Sequence, residues 1–263
     1  MSTLSHAVTD SATMLRRNLL HMLRYPSITV ILIGLPVVFL LLFVYVLGGT
    51  LGAGLAGPSG GRAEYVDYVA PGMLMLTVVG VTQSAALSVS MDMTEGIVDR
   101  FRTMAISRAS VLTGHVLGTM CQTMFGLAVV TGVALLVGFR PDAGPVEWMA
   151  SIGVLAMVTF ALTWLMVAMG LTAKSVETAS NLPMPLVLLP FFGSGFVPTD
   201  SMPTALRLFA EYQPFTPFIE TLRDLLMGTP IGSSAVVTIA WSVGIAFVGY
   251  LWARVAYDRR RAT

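Results

Sequence analysis

The sequence predicts an all-α membrane protein with six transmembrane helices, and three observations carry that prediction. Of 263 residues, 55% are hydrophobic and only 11% charged, with a mean hydropathy of +0.79. A soluble domain carries about a quarter charged residues, so this chain cannot cover a water-facing surface. Six apolar runs can be counted, each near the roughly 20 residues that cross a hydrocarbon core. Finally, the basic residues fall unequally between alternate connections, as they do in polytopic membrane proteins.

Residues 1–26 read as a cytoplasmic amphipathic helix. Leu15, Leu19, Met22 and Leu23 recur at the spacing of one helical face, and Arg17, His21 and Arg24 take the opposite face. Asp10, Ser11 and Thr13 are candidate N-caps. Two readings stand: a basic helix held at the inner headgroups, or one that also docks a cytoplasmic partner. Pro26 separates it from the first span. That run starts too late and is too long for a cleaved signal core, so it reads as a signal anchor.

The six-helix transmembrane domain covers 27–255, with spans at about 27–47, 68–90, 111–137, 146–171, 179–197 and 234–255. A basic cytoplasmic tail, 256–263, follows. With the N-terminus inside, the inner side holds Arg16, Arg17, Arg24, Arg100, Arg102, Arg108, Lys174, Arg254, Arg259, Arg260 and Arg261. The outer side holds only Arg62, Arg140, Arg207 and Arg223. Eleven against four predicts both termini cytoplasmic in the plasma membrane.

Several segments carry chemistry. In the second span Thr77, Gly80, Ser84 and Ser88 share one side, with Gln83 beside it. Such a face serves either hydrogen-bonded helix packing or a substrate path. The third span carries Gly114 and Gly118 at small-xxx-small spacing around His115, a pattern for close helix packing. The inner loop 91–110 places Ile97, Phe101 and Met104 on one stripe among Glu95, Asp99, Arg100 and Arg102. It is a connector, or a short helix pressing its stripe into a protein groove. The fifth span is interrupted by Pro183, Pro185 and Pro190, each of which removes a ladder hydrogen bond. Beyond it, the outer segment 198–232 has a stripe of Met202, Leu206 and Phe209, then a short charged helix with Glu220, Arg223 and Asp224. These predict short re-entrant helices between spans 5 and 6, or an amphipathic loop on the outer surface.

Other chemistries are excluded. Cys121 is the single cysteine, which rules out an intrachain disulfide and a cysteine-based metal cluster. No basic run with interleaved aromatics suggests nucleic acid as a partner. Lys174, the only lysine, lies in Gly170-Leu-Thr-Ala-Lys-Ser175 without the glycine that should precede it in a phosphate-binding loop. No cofactor is therefore expected on this chain. A proton-coupled carrier, the less favoured alternative, would place a carboxylate deep in a span, where the sequence has none, and no internal repeat supports an inverted-repeat carrier. The 17 methionines are adaptable core filler, or a surface for varied apolar ligands.

Three strings then resemble one family. They are Glu95-Gly-Ile-Val-Asp-Arg-Phe-Arg-Thr-Met-Ala-Ile-Ser-Arg108, Gly193-Ser-Gly-Phe-Val-Pro-Thr-Asp-Ser-Met-Pro203, and Gln213-Pro-Phe-Thr-Pro-Phe-Ile-Glu-Thr-Leu-Arg-Asp-Leu-Leu-Met-Gly228. Their order and positions are similar to those of type-2 ATP-binding-cassette permeases, in particular the actinobacterial daunorubicin-type drug-resistance permeases. Ala105 and Tyr212 depart from the residues usual there. The resemblance implies a permease paired with a separate ATPase, two copies of each, with ATP and Mg bound by that partner. It implies a coupling contact to the ATPase through Glu95, Asp99, Arg100, Phe101, Arg102, Met104 and the N-terminal helix with Arg17. The pathway between two permeases would run past Thr77, Ser84, Ser88, Phe191 and Phe192, and an outer gate would use Met202, Phe209, Phe215, Glu220 and Arg223. The expected cargo is a hydrophobic or amphipathic compound such as an antibiotic or a membrane lipid; the alternative is a lipid-linked glycan or complex lipid.

Overall fold

The computed structural model describes residues 26–56, 61–94 and 108–259. Among these residues every regular element is helical. That follows from the solvent: in lipid the backbone must satisfy its own hydrogen bonds, and a helix does so within one segment. Helix α1 (Pro26–Leu42) passes through one π-helical stretch, Phe43–Leu47, into α2 (Gly48–Ala56). Three long helices follow: α3 (Arg62–Thr94), α4 (Arg108–Val137) and α5 (Pro145–Thr172). The chain then breaks into α6 (Val176–Asn181), α7 (Met184–Leu188) and a 3-10 turn, Leu189–Phe192. Finally come α8 (Thr204–Tyr212), α9 (Phe215–Met227) and α10 (Ser234–Arg259).

Among the described residues five stretches are long and apolar enough to cross a membrane: Val30–Leu55, Arg62–Thr94, Leu112–Val137, Pro145–Thr172 and Ser234–Asp258. The expected fifth span is not a continuous helix. Pro183, Pro185 and Pro190 cut it into pieces of six, five and four residues, because each proline lacks the N–H that would continue the ladder. Two expected boundaries also move. The loop expected after residue 47 is helical as far as Ala56, since internal bonding in an apolar setting outweighs the conformational cost of its glycines. The second expected span, 68–90, extends to 62–94.

Helix α3 is the central pillar. Of its most apolar stretch 72% is buried, against 17% in α10 and 28% in α4. Tyr65, Met73 and Met75 on α3 are fully buried, and α3 packs on α1, α4, α5 and α9. Hydrophobic transfer cannot hold helices together in lipid, so close van der Waals fit must. One such close fit is at Gly72, where a β-carbon would lie 2.5 Å from the Gly195 carbonyl oxygen.

Helices α3, α4 and α5 alternate in direction. At the α3 N-terminus, Asp67 Oδ1 accepts the Arg140 N–H at 2.9 Å, just past the α4 C-terminus. The Arg140 side chain caps that terminus, donating to the Leu135 and Phe139 carbonyls at 2.9 Å each. Gly228 ends α9 in the left-handed conformation, φ 65°, beside Asp142. At the far end, Asp92 on α3 meets His115 on α4, and Gly170 near the α5 C-terminus abuts the Ala86 backbone.

Candidate functional site

The broken stretch lies along α3. Gln83 Nε2 donates to the Ser180 carbonyl at 2.9 Å, and Tyr68 Oη donates to the Ser194 carbonyl at 2.9 Å. These two α3 positions are separated by about 22 Å at 1.5 Å per residue. Over that distance the chain has no continuous ladder, so its carbonyls need other donors. Side chains supply them. Gln213 Nε2 reaches the Leu189 carbonyl at 3.3 Å, and Tyr65 Oη reaches that of Phe196 at 3.3 Å.

Arg223 on α9 closes this network. Its Nη2 donates to the Ser194 carbonyl at 2.7 Å and to the Tyr68 carbonyl at 3.1 Å. Its guanidinium carbon lies 3.9 Å from the centre of the Tyr68 ring, a cation–π contact that strengthens where water is excluded. Glu220 stands one turn before it, half-buried on the same helix. Gln213 also accepts the Phe215 N–H and donates to Thr216, whose hydroxyl reaches the Ala210 carbonyl at 2.6 Å. The turn between α8 and α9 is thereby pinned to the break.

Beside this polar knot lies a group of aromatic rings. Phe191 and Phe196 stack at 4.7 Å with an 8° interplanar angle. From the first span, Phe39 meets Phe191 edge-on at 6.0 Å and Phe43 lies 5.0 Å from Phe196. Phe43 begins the π-helical stretch, a feature found frequently at functional sites. Phe192 is exposed and meets Phe209 of α8 at 6.4 Å. On α8, Arg207 bridges Asp200 at 3.0 Å and Glu211 at 2.7 Å on an exposed face. The Glu211 hydrogen bond, helped by the Asp200 charge, raises the Arg207 pKa above its ordinary value.

The predicted residues sort accordingly. Glu220 and Arg223 come together with Tyr68 and Ser194, and Phe192 comes together with Phe209. Phe191 faces Phe39 and Phe196. Met202 is half-buried, while Phe215 is fully buried against Phe218. Thr77 is fully buried and donates to its own helix at Met73, Ser84 does the same to Val81, and Ser88 is exposed. Arg17, Glu95, Asp99, Arg100, Phe101, Arg102 and Met104 lie outside the described residues. Sequence reasoning missed Tyr65, Tyr68, Phe39, Phe43 and Phe196, and the pairing of Asp92 with His115. The one available signal was hydrogen-bond donors embedded in apolar runs.

Long apolar helices around a proline-broken stretch define a polytopic helical membrane protein. A family model described as ABC-2 type transporter matches residues 10–227, and the chain belongs to that family of transport permeases. It is 29% identical to the daunorubicin resistance ABC transporter permease protein DrrB1 of Streptomyces coeruleorubidus, over 85% of this chain and 77% of that one. It is 24% identical to a probable doxorubicin resistance ABC transporter permease protein, DrrC, of Mycobacterium tuberculosis, over 86% and 79%. With ABC transporter G family member 20 of Dictyostelium discoideum it shares 21% identity, over 72% of this chain but 27% of that one.

Proposed function

We propose that this chain is the membrane half of an ATP-driven exporter that moves hydrophobic or amphipathic compounds, such as an antibiotic or a lipid, out of the cell. The similarity to two drug-resistance permeases over more than four-fifths of the chain is the observation that carries this reading. Two copies would pair with two copies of a separate ATPase, which binds ATP and Mg. The chain would lie in the plasma membrane with both termini cytoplasmic, so that the Asp92 end of α3 faces inward and the Tyr68 end outward.

In this reading the stretch from Val176 to Phe196 is a sixth, discontinuous span. Irregular backbone at membrane depth is tolerated where protein covers it, and the side-chain donors along α3 supply that cover. The outer gate is the Arg223 knot with Glu220, flanked by Phe192, Met202 and Phe209; Phe215 anchors α9 behind it. Phe191 and Phe192, with Thr77, Ser84 and Ser88, are the proposed pathway residues. The inner loop around Glu95, Asp99, Arg100, Phe101, Arg102 and Met104, together with Arg17, would meet the ATPase.

The test is co-purification with an ATPase subunit, followed by ATP-dependent uptake of amphipathic drugs or lipids into inverted vesicles. A stable complex with stimulated hydrolysis and uptake is expected. A chain that purifies alone and accumulates nothing would sink the exporter reading.

A further inference from the structure

We propose that Asp92 and His115 form a clamp at the base of the inner loop, and that this clamp makes α3 and α4 respond to the loop as one unit. The coupling role rests on the exporter reading above; the clamp itself rests on geometry. His115 Nε2 lies 3.0 Å from Asp92 Oδ2, with side chains only 8% and 15% exposed. Asp92 is in the last turn of α3, and His115 is in the second turn of α4. The pair therefore joins α3 and α4 at the ends that lead to residues 95–107.

A carboxylate and an imidazole this little exposed are costly unless each finds a partner, and here each is within hydrogen-bond reach of the other. Arg223 answers carbonyls freed by a break in the chain. Around Asp92, α3 is regular, and Thr94 Oγ1 reaches back to the Ser90 and Met91 carbonyls at 3.0 Å each. What the pair adds is a directional tie between helices, one that holds a fixed angle where apolar contacts can slide. A push on the loop then tilts two tied helices together, whereas untied helices turn separately and dissipate it.

The experiment uses the full chain reconstituted with its ATPase, in a Cys121→Ser background. Spin labels at Met91→Cys and Leu117→Cys, both exposed positions, report the α3–α4 spacing. The clamp predicts a narrow distance distribution in the parent, a broadened one in His115→Ala, and a narrow one in His115→Gln, which keeps a donor toward Asp92. Transport per ATP hydrolysed should fall about fivefold or more in His115→Ala while hydrolysis persists, and His115→Gln should restore it. An unchanged distribution in His115→Ala overturns the clamp, whatever the ATPase does. A broadened distribution with an unchanged ratio, or with transport and hydrolysis falling in parallel, overturns the coupling role. A parent protein without ATP-dependent transport overturns the exporter reading and the coupling role with it, and the label distances still decide the clamp.

Discussion

The two ends of α3 hold their neighbours by opposite means. At the Tyr68 end, Tyr65, Tyr68, Gln213 and Arg223 each give a hydrogen bond to a main-chain carbonyl of an irregular segment. At the Asp92 end, one side-chain pair joins two regular helices. The difference shows what polar residues are for in an apolar bundle. Where prolines break the ladder, donors are obligatory and their removal exposes unpaired carbonyls. Where the ladder is whole, a polar pair sets the relation between helices and leaves their integrity alone.

This contrast can be broken or sharpened by substitution. The largest effect is expected at the irregular end: Arg223→Ala should lower stability by about 3 kcal/mol, since charge-assisted bonds to buried carbonyls are lost. Thermal unfolding in detergent, followed by intrinsic tryptophan fluorescence, measures it, and Arg223→Lys should recover only part because a point charge cannot reproduce the forked contacts. Gly72→Ala should cost about 1–3 kcal/mol by overpacking against Gly195, read as a loss of folded yield in the same assay. Gln83→Leu leaves the Ser180 carbonyl unanswered and should cost about 1 kcal/mol. Tyr65→Phe removes one long bond and should cost about 0.5 kcal/mol; a larger loss than for Gln83→Leu would reverse the ranking. Arg207→Gln on the exposed face of α8 should leave the melting temperature unchanged, because water screens such pairs.

Much of this was legible in the sequence. Residue runs 111–137, 146–171 and 234–255 lie within helices α4, α5 and α10, because a span must be long and apolar whatever it packs against. Pro183, Pro185 and Pro190 marked the break for the same reason: they act through their own covalent geometry. Arg223 stood out as a charge in an apolar context, but its acceptors did not. A carbonyl is present at every residue, so no residue type announces that Ser194 or Tyr68 will offer one. Helical residues were missed as far as Ala56 and Thr94, where internal backbone bonding continues past the edges that hydropathy alone suggests. The Asp92–His115 pairing was hidden because the two residues belong to segments read separately, a loop and a span.

The Gly72–Gly195 crossing bears on how sequences of this kind can drift. At Gly72 only hydrogen fits while the Gly195 backbone stays where it is, and a β-carbon at Gly195 would press more lightly, 3.1 Å from the Ile219 side chain and 3.3 Å from the Gly72 Cα. The two are 123 positions apart in the chain yet share one backbone contact. Among relatives that retain this crossing, they should change together or not at all, and a chain with a larger residue at one of them should show a displaced break in the fifth stretch.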